Sequence, residues 1–234
     1  MSIASALDRL KRSFIASAGT IVFGMEDGTV SIFGLIFGVA ATTSNSVAVL
    51  IAGGSGAAAA AVSMMAGAYL DAETSRDEAK AAEARMKADF AHGPASLAGM
   101  LSQRLSAAGV PSALASALTG AVGQDPDAIR GALFALHAEP VTPVDPWEQA
   151  LWMLVADFLS AIVPILPFVL LPISTARVVS AAVTIMLLVA LGIGRARIAG
   201  RGTGRTVAET VSIGIAAALA GVAIGMLVNR GFGP

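Results

Sequence analysis

The sequence has no cysteine, which excludes disulfides, zinc–thiolate centres and cysteine nucleophiles. It is also short of charge. Only 13% of its 234 residues are Asp, Glu, Lys or Arg, where a soluble domain carries roughly 25%. The net charge of −1 leaves no basic footprint for nucleic acid. The two histidines, His92 and His137, are isolated from each other and from candidate nucleophiles, so no Ser-His-Asp arrangement presents itself. Gly200, Gly202 and Gly204 lie among arginines. They lack the preceding strand and the Gly-Lys-Ser/Thr ending of a phosphate loop. These absences point away from an enzyme.

What the sequence has is apolar length. Hydrophobic residues make up 56% of the chain, and the mean hydropathy is +0.77. Apolar runs cover Ser13 to Ala41, Val47 to Leu70, Trp147 to Leu171, Val178 to Gly194 and Val207 to Val228. A membrane-crossing helix needs roughly 20 such residues. The expected fold is therefore an all-α integral membrane protein with five transmembrane helices. Residues 1–70 would hold a short leader and the first two helices, 71–146 a small helical polar domain, and 147–234 the last three helices.

Lysine and arginine distribute unevenly. Arg9, Lys11 and Arg12 precede the first run. Arg76, Lys80, Arg85, Lys87, Arg104 and Arg130 lie in the polar segment, and Arg195, Arg197, Arg201 and Arg205 lie between the last two runs. The opposite side has only Arg177 and Arg230. By the positive-inside rule the N-terminus and the polar domain are expected in the cytoplasm and the C-terminus outside.

Within the polar domain, a helix is expected over Asp71 to Ala91 as an extension of the second span. A second covers Ser96 to Ala108, with Leu97, Leu101 and Leu105 on one stripe. Gly109-Val110-Pro111 breaks it. Ser112 reads as the N-cap of a helix to Val122, and Asp125-Pro126 opens another. In the spans, Gly24 and Gly28, Gly34 and Gly38, Gly221 and Gly225, and Ser63 and Gly67 repeat a four-residue spacing of small residues. That spacing lets membrane helices approach closely, either within one protomer or across a dimer. Trp147 and Trp152 stand near one end of the third span, where indoles favour the interface.

The chemistry lies in the intramembrane polar groups. Glu26 and Asp27 fall mid-span. A charged carboxylate there costs at least about 2.5–3.5 kcal/mol, so it must face a cavity, a partner or an ion. Asp157 is a lone acid in the third run, for which a packed, protonated acid and a functional group are equally good readings. Met64 and Met65 lie in the second run. Methionine in an apolar helix usually serves packing, but thioether beside carboxylate suits ferrous iron and similar ions better than magnesium or calcium. Glu73, Asp77, Glu83 and Asp89 line the first polar helix as candidate metal contacts, although a solvated helix face is the plainer reading.

Gly24-Met25-Glu26-Asp27-Gly28-Thr29-Val30, followed by Phe33-Gly34-Leu35 and Gly38-Val39, resembles the first helix of the vacuolar iron transporter family. Ser63-Met64, Gly67, Tyr69 and Arg76-Asp77 resemble its second helix. Asp145-Pro146-Trp147 with Pro164-Ile165-Leu166-Pro167-Phe168 is similar to its third, and Gly192 to Gly200 to the loop between the fourth and fifth. The resemblance runs in order along nearly the whole chain. It implies a homodimer in a lipid bilayer with an ion path between first helices. It also implies export of Fe2+, and often Mn2+, as transported substrate in exchange for protons. Asp27 and Met64 match the positions of the family's mid-membrane ligands. Ala68 stands where the family usually has glutamate, and Glu26 where it usually has asparagine, so Glu26 is a candidate second carboxylate or proton relay. The Ala/Gly-rich composition and short leader suggest a bacterial plasma membrane. A membrane scaffold or regulator that retains the fold without transporting is the alternative reading.

Overall fold

The structure, a computed structural model, describes residues 3–89, 94–122, 125–137 and 145–232. Among the described residues every regular element is a helix: α1 Ile3–Ala16, α2 Ala18–Thr42, α3 Ser46–Asp89, α4 Pro94–Ala107, α5 Ser112–Val122, α6 Pro126–His137, α7 Pro146–Leu170, α8 Ile173–Ile198 and α9 Thr203–Phe232. Five of them, α2, α3, α7, α8 and α9, are long and apolar enough to cross a membrane. Helix is the economical choice there, because each segment satisfies its own backbone groups where no water can. The chain divides into two compact units, Met1–Ala72 with Val144–Pro234, and Glu73–Pro143.

In the larger unit α2 is central and packs on α7, α8 and α9. Glycine sets these approaches. Gly24 and Gly28 lie against Met153, Ala156, Asp157 and Ser160 of α7, while Gly34 and Gly38 lie against Ala217 and Gly221 of α9. The four-residue spacings of α2 and α9 thus serve packing inside the protomer. Gly67 is different: open space surrounds it. A Cβ on Gly221 would overlap the Gly34 carbonyl, which is backbone and cannot swing aside. Gly221→Ala is expected to lower stability by about 1–3 kcal/mol through overpacking. A lower midpoint of thermal unfolding in detergent would show this, and a midpoint equal to wild type would contradict the α2–α9 contact. Gly231→Ala, with nothing within 4 Å of its Cβ position, serves as the control.

Several boundaries differ from expectation. The first apolar run does not begin one helix at Ser13. The turn residue Ser17 separates α1 from α2. α1 exposes Leu7, Leu10, Phe14 and Ile15 among its charges, the pattern of an amphipathic helix rather than a span. It is tied to α7 by Arg9 Nη2 donating to Glu148 Oε1 at 2.6 Å, by Trp152 Nε1 donating to Ser13 Oγ at 3.1 Å, and by an edge-on Phe14–Trp152 contact. The other end of this region pairs Tyr69 with Trp147. The indoles therefore fasten neighbouring helices.

The fourth apolar run extends beyond Val178 and Gly194, because its flanking charges find acceptors inside the bundle. Arg177 Nη2 donates to the Ala40 carbonyl and, at 2.9 Å, to that of Thr43. Those are carbonyls at the end of α2, which lack helical partners and favour a cation. Arg195 reaches Glu26. α8 stops at a left-handed glycine, Gly200 (φ 62°), where Arg201 N–H closes on the Ala196 carbonyl.

In the smaller unit, α4 and α6 bury Leu97, Leu101, Ile129 and Leu133, with Leu105 packed against them. α4 ends on left-handed Gly109 (φ 88°), with Val110 N–H bonded to the Leu105 carbonyl. Asp125 caps α6 through the Asp127 N–H at 2.9 Å. Ser112 is the first helical residue rather than the cap. The Pro111 carbonyl takes the Leu114 and Ala115 N–H groups instead.

Candidate metal-ion site

The two adjacent acids of α2 have different surroundings, because consecutive helical residues point about 100° apart. Glu26 turns inward. It is 8% exposed. Arg195 Nη1 donates to its carboxylate oxygens at 3.0 and 3.2 Å, and Thr210 Oγ1 donates to Oε1 at 2.9 Å. The charge of Glu26 is thereby neutralised by α8 and further satisfied by α9.

Asp27 turns outward. Gly19, Phe23, Asp27, Ser31 and Leu35 follow one another at four-residue spacing along α2. Asp27 is half-buried, and the other four are exposed. Most of this stripe stays exposed, and at Leu35 it meets Gly56 of α3. Ser31 lies one turn along the same face. No basic side chain pairs with Asp27 among the described residues.

On α7, Asp157 is fully buried at 0% exposure, and neither carboxylate oxygen has a hydrogen-bond partner among the described residues. Its backbone packs on Gly28, the residue after Asp27. Met64 and Met65 are half-buried on α3, and Ala68 is buried one turn further. Glu73 and Asp77 are exposed, with Lys80 Nζ 3.0 Å from Asp77 Oδ1. The side chains of Glu83, Asp89 and His137, and His92 entirely, lie outside the described residues. Among the described residues no group of three or more His, Asp or Glu gathers as a preformed metal cluster.

The arrangement provides a carboxylate of α2 on an open helix face, a second carboxylate buried on α7, and soft sulfur on α3. Sequence reasoning missed the partners of Glu26. Arg195 reads in sequence as a loop arginine and Thr210 as an ordinary residue of an apolar run. The available signal was the acid itself, which needs a base on a facing helix if it is not used for an ion.

A profile of the VIT family matches residues 18–226. Vacuolar iron transporter 1 of Arabidopsis thaliana is 28% identical over 213 residues, covering 90% of this chain and 85% of that protein.

Proposed function

This chain belongs to the VIT family, and from that premise we propose that it transports Fe2+ and Mn2+ out of the cytoplasm in exchange for protons. In this reading it works as a homodimer whose ion path runs between the first membrane helices. Its N-terminus and its 71–146 segment are cytoplasmic and its C-terminus is outside. The observation that carries the reading is the placement of Asp27. A half-buried acid in the middle of a membrane span, on a helix face its own protomer leaves largely exposed, needs a cation, water or a second subunit beside it. A dimer formed across that face brings two Asp27 carboxylates to one path, and a divalent ion is the charge they match. Met64 adds a ligand that favours ferrous iron over magnesium or calcium. Glu26, held by Arg195 and Thr210, serves as the internal anchor that fixes the rotation of α2 and so aims Asp27.

The test is metal uptake by proteoliposomes, with iron, manganese, cobalt and zinc compared and an imposed proton gradient. Iron and manganese uptake is expected to rise with an acidic lumen and fall when the gradient is collapsed. Uptake indifferent to the gradient would remove the proton exchange. Absence of uptake for every metal would favour the scaffold reading.

A further inference from the structure

We infer that Asp157 is a ligand of the transported ion, so that the path holds a two-carboxylate site for a divalent transition cation, with Asp27 from α2 and Asp157 from α7. This rests on the transport reading of the same bundle and adds to it a residue that the resemblance did not assign.

The first argument is charge. Of the acids in α2, α7 and α9, Glu26 pairs with Arg195, Glu148 with Arg9, and Glu209 with Arg201 and Arg205. Asp27 and Asp157 pair with no cation among the described residues. Two such carboxylates carry the charge that one divalent ion neutralises.

The second argument is burial. A carboxylate with 0% exposure and two unpartnered oxygens is costly unless something completes it. Simple packing would be served by the alanines found one position before it and four after, Ala156 and Ala161.

The third is position. Gly28 lets the α7 backbone approach at this level: a Cβ there would overlap the Asp157 carbonyl and come within 2.7 Å of Ser160 Oγ. Across an open cleft, Ala58, Ala61 and Val62 of α3 face Leu154, Val155, Phe158 and Leu159 of α7. Ala61 and Asp157 are buried members of these two segments. Met64 follows Ala61 by three residues and so shares its face of α3. Asp27 and Asp157 thus come from two helices in contact at Gly28, and Met64 lies one turn from Ala61 on the helix across the cleft. Oxygen from two acids and sulfur from one thioether suit ferrous iron and manganese.

The experiment compares the wild-type chain, Asp157→Asn and Asp157→Glu in proteoliposomes, with Mn2+ binding to each purified protein followed by the Mn2+ paramagnetic signal. Asparagine keeps the size and removes the ligand charge. The half-saturating Mn2+ concentration is expected to rise by about tenfold or more in Asp157→Asn. That for Fe2+ should rise less, because sulfur still serves iron, and Asp157→Glu should remain within a few-fold of wild type. Equal half-saturation in wild type and Asp157→Asn, or equal losses in the Asn and Glu variants, would overturn the assignment. If the wild type moved no metal, the transport reading would fail instead. Mn2+ binding would then decide the site alone: loss of binding in Asp157→Asn supports it, and unchanged binding refutes it.

Discussion

Asp27→Asn is expected to reduce metal flux to background while leaving the protein folded and its oligomeric state unchanged. The substitution preserves size and hydrogen-bonding capacity. On the proposed path, what disappears is the negative charge that offsets dehydration of the ion. Without it a divalent cation must enter hydrocarbon against its full desolvation cost, which is several kcal/mol even after water and protein relax around it. Each 1.36 kcal/mol of added barrier is about tenfold in rate, so a loss of roughly 100-fold or more follows. Folding is spared because Asp27 has no cationic partner in its unit to strand. The checks are flux in proteoliposomes and elution on size exclusion. Wild-type flux in Asp27→Asn would sink the central claim and make the scaffold reading the better one.

Arg195→Leu is expected to destabilise the bundle by about 3 kcal/mol, the lower end of what breaking a buried ion pair costs. The lower end applies because the Arg195 side chain is 40% exposed, against 10% for that of Glu26. The variant leaves Glu26 buried with only Thr210 donating to it. Glu26→Gln combined with Arg195→Leu should recover much of the loss, because no uncompensated charge remains. Thermal unfolding in detergent, as a double-mutant cycle, measures the coupling. The same cycle decides what Glu26 does. If both single variants unfold like wild type yet lose flux, the Glu26–Arg195 pair belongs to the ion path, and Glu26 regains its candidacy as a relay or second carboxylate. If they unfold early and the double variant restores stability and flux together, the pair is an anchor.

The helical class was legible from apolar run length alone, because a backbone in hydrocarbon must satisfy its own polar groups and helix is the local way to do so. Local stops were legible too. Gly109 and the Asp125 cap act through their own backbone and nearest neighbours, so short stretches of sequence contain everything needed. Helix ends near charge were less so. The expected end of the fourth run at Gly194 follows from treating Arg195 as a solvent residue, and Arg195 is instead a partner of Glu26. That partner lies 169 residues away in sequence, beyond any local pattern.

The site shows the same division. Sequence determined that acids and thioethers lie within apolar runs and therefore carry chemistry or need partners. It could not determine which of Glu26 and Asp27 meets the interior. That depends on the rotation of α2, and the rotation is set by contacts with three other helices: Gly24 and Gly28 against α7, Gly34 and Gly38 against α9, and Arg195 from α8. The same four-residue glycine spacing is compatible with a dimer face, and only the carbonyls found against it place it inside the protomer. Asp157 is the sharpest case. Nothing next to it in sequence distinguishes a packed acid from a ligand. Its burial without a partner, at the level of Gly28, arises only when α2 and α7 come together, because desolvation is a property of everything that surrounds a charge rather than of the residue that carries it.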